Sequence, residues 1–321
     1  MYRFKIMKRL ILFFISIAVF AVVSCEQSDN ALGPTEPLSR EDSIKITLLK
    51  PSPTKEPYII LEDAGLEAEL IAQGKDSDNQ LNGKISVEDA DGIEILGRPL
   101  RLIVNSPEPQ YDWSYSRYFE VMPILKKEYK EETGSELIVK KLSDVNAFKN
   151  LKKLYIVFPT EVIDSLNLSA NSRLEVFETV DTQIKVVDFN GCEQIKKIEF
   201  MRSPHPLVNT NLLDRIHISQ CSTLEYLSFA GKAPKSLDIS ENVNLKHLEI
   251  QAMSSPGQIE VEKLYLCNHP HLEYLRVISS YYQSIYLAKN VYTLYEISKQ
   301  QNASNGFPEL NYSKGEVRAC E

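Results

Sequence analysis

Few side chains in this sequence are spaced to do chemistry. His269-Pro-His271 is an isolated pair two residues apart, and it reads as a turn rather than a metal site. No nucleophile elbow, H-E-x-x-H, paired-cysteine zinc spacing or phosphate-cradling glycine loop occurs. Twelve glycines among 321 residues argue against a nucleotide-binding α/β enzyme. Of the five cysteines, Cys192 and Cys221 fall in a repeated column described below, and Cys267 and Cys320 are left over. A bond between those two is permitted in an oxidising compartment. The formal net charge of −8 is a poor match for nucleic acid, which requires a basic patch. These residues predict an interaction protein, not an enzyme.

The elements that would position a binding surface come from an internal repeat. A unit L-x-x-φ-x-φ begins at Leu151, Leu174, Ile195, Leu224, Leu245, Leu272 and Leu294, with starts 23, 21, 29, 21, 27 and 22 residues apart. A second unit, φ-x-φ-x-x-[N/C]-x-x-L, precedes most of these starts, as in LDISENVNL (237–245). The spacing from this second unit to the following leucine is constant, except for one extra residue in the last copy. The large length changes fall instead in 201–211 and 251–262. Fixed spacing with variable edges is what stacked turns demand, because core positions must stay in register while an edge loop lengthens at little cost. Asn171, Cys192, Cys221, Asn242, His269 and Asn290 then share one column. An amide there is expected to bond backbone groups of a sharp inward turn, since an unsatisfied buried polar group costs about 1–3 kcal/mol.

These segments resemble the leucine-rich-repeat family, and most closely its short bacterial, internalin-like repeats. The likeness covers roughly 142–298. It implies a leucine-rich-repeat solenoid, mostly β, with repeats over 141–300 and a small α/β or helix-loop-helix capping region over 44–140. About ten residues per unit remain for the return path, and their alternation predicts short strands on both faces. The column Asn167, Asp188, His217, Asp238, Tyr265 and Tyr286 should point outward, polar at one end and aromatic at the other. Tyr281, Tyr282 and Tyr292 add to the aromatic end. Tyrosine gives contact area at small entropy loss, so this column is the expected ligand-binding line, although a merely solvated face would be similarly mixed.

At the head of the array, DAGLEAELIAQG (63–74) predicts a short helix with Asp63 as N-cap and Gly74 as stop. Ser86 and Asp89 then form an S-x-x-D capping box. The intervening loop resembles a calcium loop of the EF-hand or dockerin type. That resemblance implies Asp78, Asn82 and Asp89 as metal ligands, with calcium as the only cofactor to consider. Gln80 at the third position and the short Asp89 at the twelfth depart from the pattern, so a vestigial loop held by hydrogen bonds is the other reading. Residues 95–140 match no template. Their cluster Tyr111, Trp113, Tyr115, Tyr118 and Phe119 suits a sugar platform, a core or a domain joint. Residues 301–321 read as a cap or tail.

Four basic residues followed by the apolar run 10–23 read as an export leader, too short to span a bilayer. Val22-Val23-Ser24-Cys25 resembles the lipobox of bacterial lipoproteins, which implies a signal peptide over 1–24, lipid on Cys25 and a flexible tether over 25–43. An ordinary secreted protein with a chance cysteine is the other reading. Acidic residues after the cysteine resemble surface lipoproteins of the Bacteroides group. The expectation is an outer-membrane, lipid-anchored binding protein at the cell surface, recognising a protein or glycan and touching the membrane only through its lipid. Two further roles stay open: a structural subunit of an envelope lipoprotein complex, and a glycan-binding or glycan-processing N-terminal region with the repeats as spacer.

Overall fold

A computed structural model describes residues 52–99, 114–180, 183–201, 212–231, 234, 237–252, 263–278, 284–293 and 316–321. The leader, Cys25, the tether, Tyr111, Trp113, Tyr281, Tyr282, the inserts at 202–211 and 253–262 and most of the tail lie outside the described residues.

The architecture is leucine-rich-repeat-like, mostly strands with few helices. Strand β1 (Tyr58–Ile60) pairs antiparallel with β2 (Lys84–Ser86), bracketing helix α1 (Ala64–Ala72). Asp63 is its N-cap, accepting from the Leu66 N–H, and Gly74 stands beyond its end at φ +68°. Helix α2 (Val87–Asp91) is capped by the Ser86 hydroxyl, which accepts from the Asp89 N–H. The capping box is only half formed, because the Asp89 carboxylate turns away to Ser77.

The untemplated region contains helix α3 (Ser114–Thr133). Val121, Met122 and Leu125 are buried against Ala68, Ile71 and Ala72 of α1, with Tyr118 and Tyr129 at the margin. That stripe has helical spacing, but Pro123, on the exposed side of the helix, obscures it in the sequence. Phe119 is 68% exposed, so the aromatic cluster does not all serve the core.

From β3 (Ile95–Leu96) onward the chain adds parallel strands in order. β4 (Lys153–Ile156), β6 (Val176–Val180), β8 (Lys197–Met201), β10 (Tyr226–Gly231), β11 (His247–Ala252) and β13 (Tyr274–Ile278) extend β3 into a seven-stranded sheet. The register is unbroken. Leu154, Phe177, Ile198, Leu227, Leu248 and Leu275 form one inward column. Ile156, Thr179, Phe200, Phe229, Ile250 and Val277 form the next. All twelve are buried. Alternate residues of each strand must therefore face outward.

The return strands make two shorter sheets. β5 (Ile163–Asn167), β7 (Ile184–Asp188) and β9 (Arg215–His217) form one; β12 (Lys263–Leu266), β14 (Ser284–Leu287) and β15 (Glu316–Ala319) form the other. Cys267 and Cys320 are disulfide-bonded, which ties the strand of the tail to the last rungs.

The column of turn residues is regular. Asn171 Nδ2 donates to the carbonyls of Val145 and Phe148, at 3.1 Å each, and Asn242 Nδ2 to those of Ile218 and Cys221, at 2.9 Å each. Cys192 Sγ lies 3.2 Å from the Leu168 carbonyl, Cys221 Sγ 3.5 Å from that of Phe189, and His269 Nε2 3.0 Å from that of Ile239. Each acceptor belongs to the preceding rung and already accepts one N–H of its own turn, as Ile218 does from Cys221. The side chains thus stitch each turn to the one before rather than repairing an empty group. Phe148, which the sequence reading passed over, stands at the head of the column. Asn290 does not belong to it. The extra residue of the last copy lets the chain enter a helical turn at 289–293, which buries Val291 and leaves Asn290 exposed with its amide on the Pro270 carbonyl.

Candidate protein-binding face

On the outward side of the large sheet, strand alternation puts Lys153, Val176, Lys197, Tyr226, His247 and Tyr274 in one line. Tyr155, Glu178, Glu199, Ser228, Glu249 and Arg276 form the line beside it. Parallel strands lie about 4.8 Å apart, close to the spacing of stacked rings, so identical positions on successive rungs stack. The Tyr226 ring lies 4.1 Å from that of His247 at 13°, and His247 lies 4.1 Å from Tyr274 at 2°. Lys197 Nζ sits 5.0 Å over the free end of this stack, on Tyr226.

The charges beside the rings are held in place. Lys197 Nζ is 2.7 Å from both Glu178 and Glu199. Burial would lower its pKa, but those two carboxylates outweigh it and hold the ammonium above the usual lysine range. Arg276 bonds Glu249 at 3.1 Å, and the Ser228 hydroxyl donates to Glu249 at 3.3 Å. The Tyr226 hydroxyl reaches Glu199 at 3.4 Å, and burial, aided by that negative charge, pushes it up to about 12. Glu178 and Ser228 are buried, whereas Tyr226, His247, Tyr274, Lys197 and Arg276 are half-buried. The surface is thus partly desolvated, charge-paired and rotationally fixed before any partner arrives, which lowers the ordering cost of association. Its ring faces are used against one another, so ring edges and hydroxyls are what it offers outward. His247 Nε2 and Arg276 Nε are buried without a hydrogen-bond partner.

The column expected to bind fares differently. Asn167, Asp188 and His217 are in register on β5, β7 and β9, and Tyr265 stacks on Tyr286 at 4.8 Å and 18° across β12 and β14. Asp238 lies in neither sheet, so the line is divided in two. Three of its polar members serve their own turns. Asn167, Asp188 and Asp238 each accept the N–H two residues on, from Ser169, Asn190 and Ser240. The hydroxyl and N–H of Ser240 hold Asp238 below the usual carboxylate range. His217 and Tyr265 are exposed and Tyr286 is half-buried. The period aligned Asn167, Asp188 and His217 on one sheet and Tyr265 and Tyr286 on another; it could not reveal that Asn167, Asp188 and Asp238 close Asx turns. The Lys197–Tyr226–His247–Tyr274 line obeys the same period, one residue before the second apolar position of the L-x-x-φ-x-φ unit.

For the calcium loop, Asp78 and Asn82 meet each other, with Asn82 Nδ2 donating to Asp78 at 3.0 Å, and Thr54 also bonds Asp78. Asp89 is engaged 2.8 Å away by the Ser77 hydroxyl. Among the described residues no group of three or more His, Cys, Asp or Glu side chains is arranged to hold a metal ion. His269 is buried with Nε2 on a carbonyl, and its pKa is lowered by burial.

No protein-family model and no curated protein matches the sequence. Among the solved structures similar to the chain are two from Listeria monocytogenes. One is the functional domain of InlJ from Listeria monocytogenes, which includes a cysteine ladder; it is 21% identical over 44% of this chain and 36% of that one, at a TM-score of 0.24. The other is an internalin, inlF, from the same species, 14% identical over 84% of this chain and 97% of that one, at a TM-score of 0.17. This chain therefore spans about a third of the InlJ structure. The superpositions are too loose to bear weight, and the fold rests on the strand register and buried columns described above.

Proposed function

We propose that this protein is a non-catalytic, lipid-anchored surface protein whose leucine-rich-repeat solenoid binds a protein partner through the outward face of the large sheet. The observation that carries this reading is the stacked Tyr226–His247–Tyr274 line with Lys197 and Arg276 clamped beside it. Half-buried aromatic and arginine side chains, already fixed, are the composition of binding hot spots. A protein suits this face better than a glycan, because the ring planes that would stack on a sugar are already turned toward each other. Lipid at Cys25 supplies the anchor in this reading, and exposure outside the cell supplies access to the partner.

The test is site-specific photo-crosslinking in intact cells, with a photoreactive phenylalanine placed at 226, 274, 265 or 286 in turn. One protein species crosslinked from 226 and 274, and lost in a Lys197→Glu chain, supports the reading. Crosslinks confined to 265 and 286 would move the site to the smaller sheet. Protease shaving of whole cells tests the location, since survival of the chain in intact cells contradicts surface exposure.

A further inference from the structure

A cleft of about 540 Å³ opens between the N-terminal end of α1, the 79–83 loop and the C-terminal half of α3. That volume lies within the range of ordinary ligand pockets, about 300–1,000 Å³. Its apolar lining comes from Leu61, Ala64, Leu81, Leu125 and the Tyr129 ring. Its charged lining is of one sign: Glu62, Glu67, Glu128 and Glu132, with no Lys, Arg or His among the lining residues, although Glu62 is itself ion-paired with Lys141 at 3.3 Å. Of the cations of α3, Lys127 pairs with Glu131, Lys130 with Glu136, and Arg117 bonds Asn79 and the Ile71 carbonyl. Glu128 and Glu132 stand one turn apart on the exposed surface of α3, an i,i+4 like-charge pair that disfavours the helix.

Glu67 is the second observation. It is only 1% exposed, yet it lines the cleft. Its Oε1 accepts the N–H groups of Asn82 and Gly83 at 2.8 Å and of Lys84 at 3.2 Å. Oε2 takes none of these bonds. Burial pushes this carboxyl up to about 7, as befits a carboxylate with no counter-ion. The loop wall opposite is tied to α3. Asn79 holds a left-handed backbone, φ 57°, and its Oδ1 accepts from Arg117 on α3.

We propose that this cleft is a docking site for an arginine side chain presented by a protein partner, its guanidinium reaching Glu67 between Glu128 and Glu132. The guanidinium is planar, weakly hydrated and able to bond two carboxylates at once, so it tolerates a half-apolar site better than an ammonium does. The Tyr129 ring adds a cation–π surface. This site lies in the N-terminal region and is independent of the sheet face above.

Isothermal titration of the purified chain with an acetylated, amidated Gly-Arg-Gly-Arg-Gly peptide tests it. The same peptide with citrulline for arginine keeps the shape but replaces one NH2 donor group with a carbonyl acceptor and removes the charge, and should bind at least ten-fold more weakly. The surface double variant Glu128→Gln/Glu132→Gln and the buried Glu67→Gln should each weaken the arginine peptide at least ten-fold. Glu193→Gln/Glu241→Gln, two exposed acids on the array, should leave it unchanged. Equal binding of the citrulline peptide, equal binding by the Glu128/Glu132 variant, equal loss in the Glu193/Glu241 control, or no binding up to millimolar peptide would each overturn the proposal.

Discussion

The N-terminal cap and the repeat array solve opposite hydrogen-bonding problems. In the cap, loops and helix starts present N–H groups, and buried or half-buried carboxylates accept them. Asp63 alone takes three, from Leu66, Lys140 and Lys141; Asp144 takes those of Glu62 and Asp63, and Glu67 takes three more. In the array the turns present carbonyls, and neutral donors answer them: Asn171, Cys192, Cys221, Asn242 and His269. Asp63, Glu67, Glu69, Asp76 and Asp78 are buried in the cap, whereas among the described residues of the array the buried carboxylate is Glu178, ion-paired to Lys197. A repeated turn can reuse one neutral side chain at every rung. A structure that occurs once has no such template and uses charge, with the pH dependence that follows.

The largest effect should come from Asp63→Ala. It strips three backbone donors of a charged acceptor, and at about 1.5 kcal/mol or more for each such bond the cost should reach about 4 kcal/mol in denaturant melts. Asn242→Leu should cost about 2 kcal/mol, because Ile218 and Cys221 keep their own turn bonds and lose only the stitch. If Asn242→Leu proved the more damaging of the two, the contrast between cap and array would be reversed.

The pH response separates the regions more finely. Burial and the charge of Asp78 push Asp76 up to about 8, and burial raises Glu67 and Glu69 to about 7. A carboxyl whose folded pKa exceeds its unfolded value binds more protons folded than unfolded. Stability contributed by these three carboxyls is therefore fully present below about pH 4 and falls as pH rises through 7 to 8. Thermal melts should show Tm lower at pH 8 than at pH 5 by about 5 °C or more, and Asp76→Asn should flatten much of that slope. Hydrogen exchange should place the change in residues 58–96 and leave the array's turns unaffected. The smallest effect on stability is expected from Tyr274→Ala on the outward face, about 1 kcal/mol from the lost stacking, even where it removes partner crosslinking altogether.

One glycine shows how the two regions are joined. Gly97, at the end of β3, has φ +79°, and a Cβ there would lie 1.8 Å from the Tyr155 carbonyl. The cap can lend its strand to the array's sheet only because this position has no side chain.

Much of the array was legible because every rung repeats the same constraint. A leucine at Leu224 or Leu245 and an amide at Asn242 must recur at fixed intervals if successive turns are to share a core, and recurrence is visible in a sequence. The last copy shows the limit, since one inserted residue put Val291 where the period placed Asn290. The cap was legible only where local rules suffice, at Asp63, Ser86 and Gly74. Helix α3 was missed because Pro123 and the crowded aromatics hide a stripe that has meaning only against α1. In the loop that resembles a calcium site, Asp78 and Asn82 bond each other and Asp89 bonds Ser77, pairings no loop pattern encodes.

By itself the sequence determined the repeat, its register and the column of turn donors, because burial imposes a period on the residues that face inward. The tertiary structure decided which outward line stacks its rings, which polar groups are spent on their own turns, that Cys267 meets Cys320, and where the cleft lies. Outward and long-range contacts obey no period, so only the folded chain brings Tyr226, His247 and Tyr274, or Glu67 and Glu132, to one place.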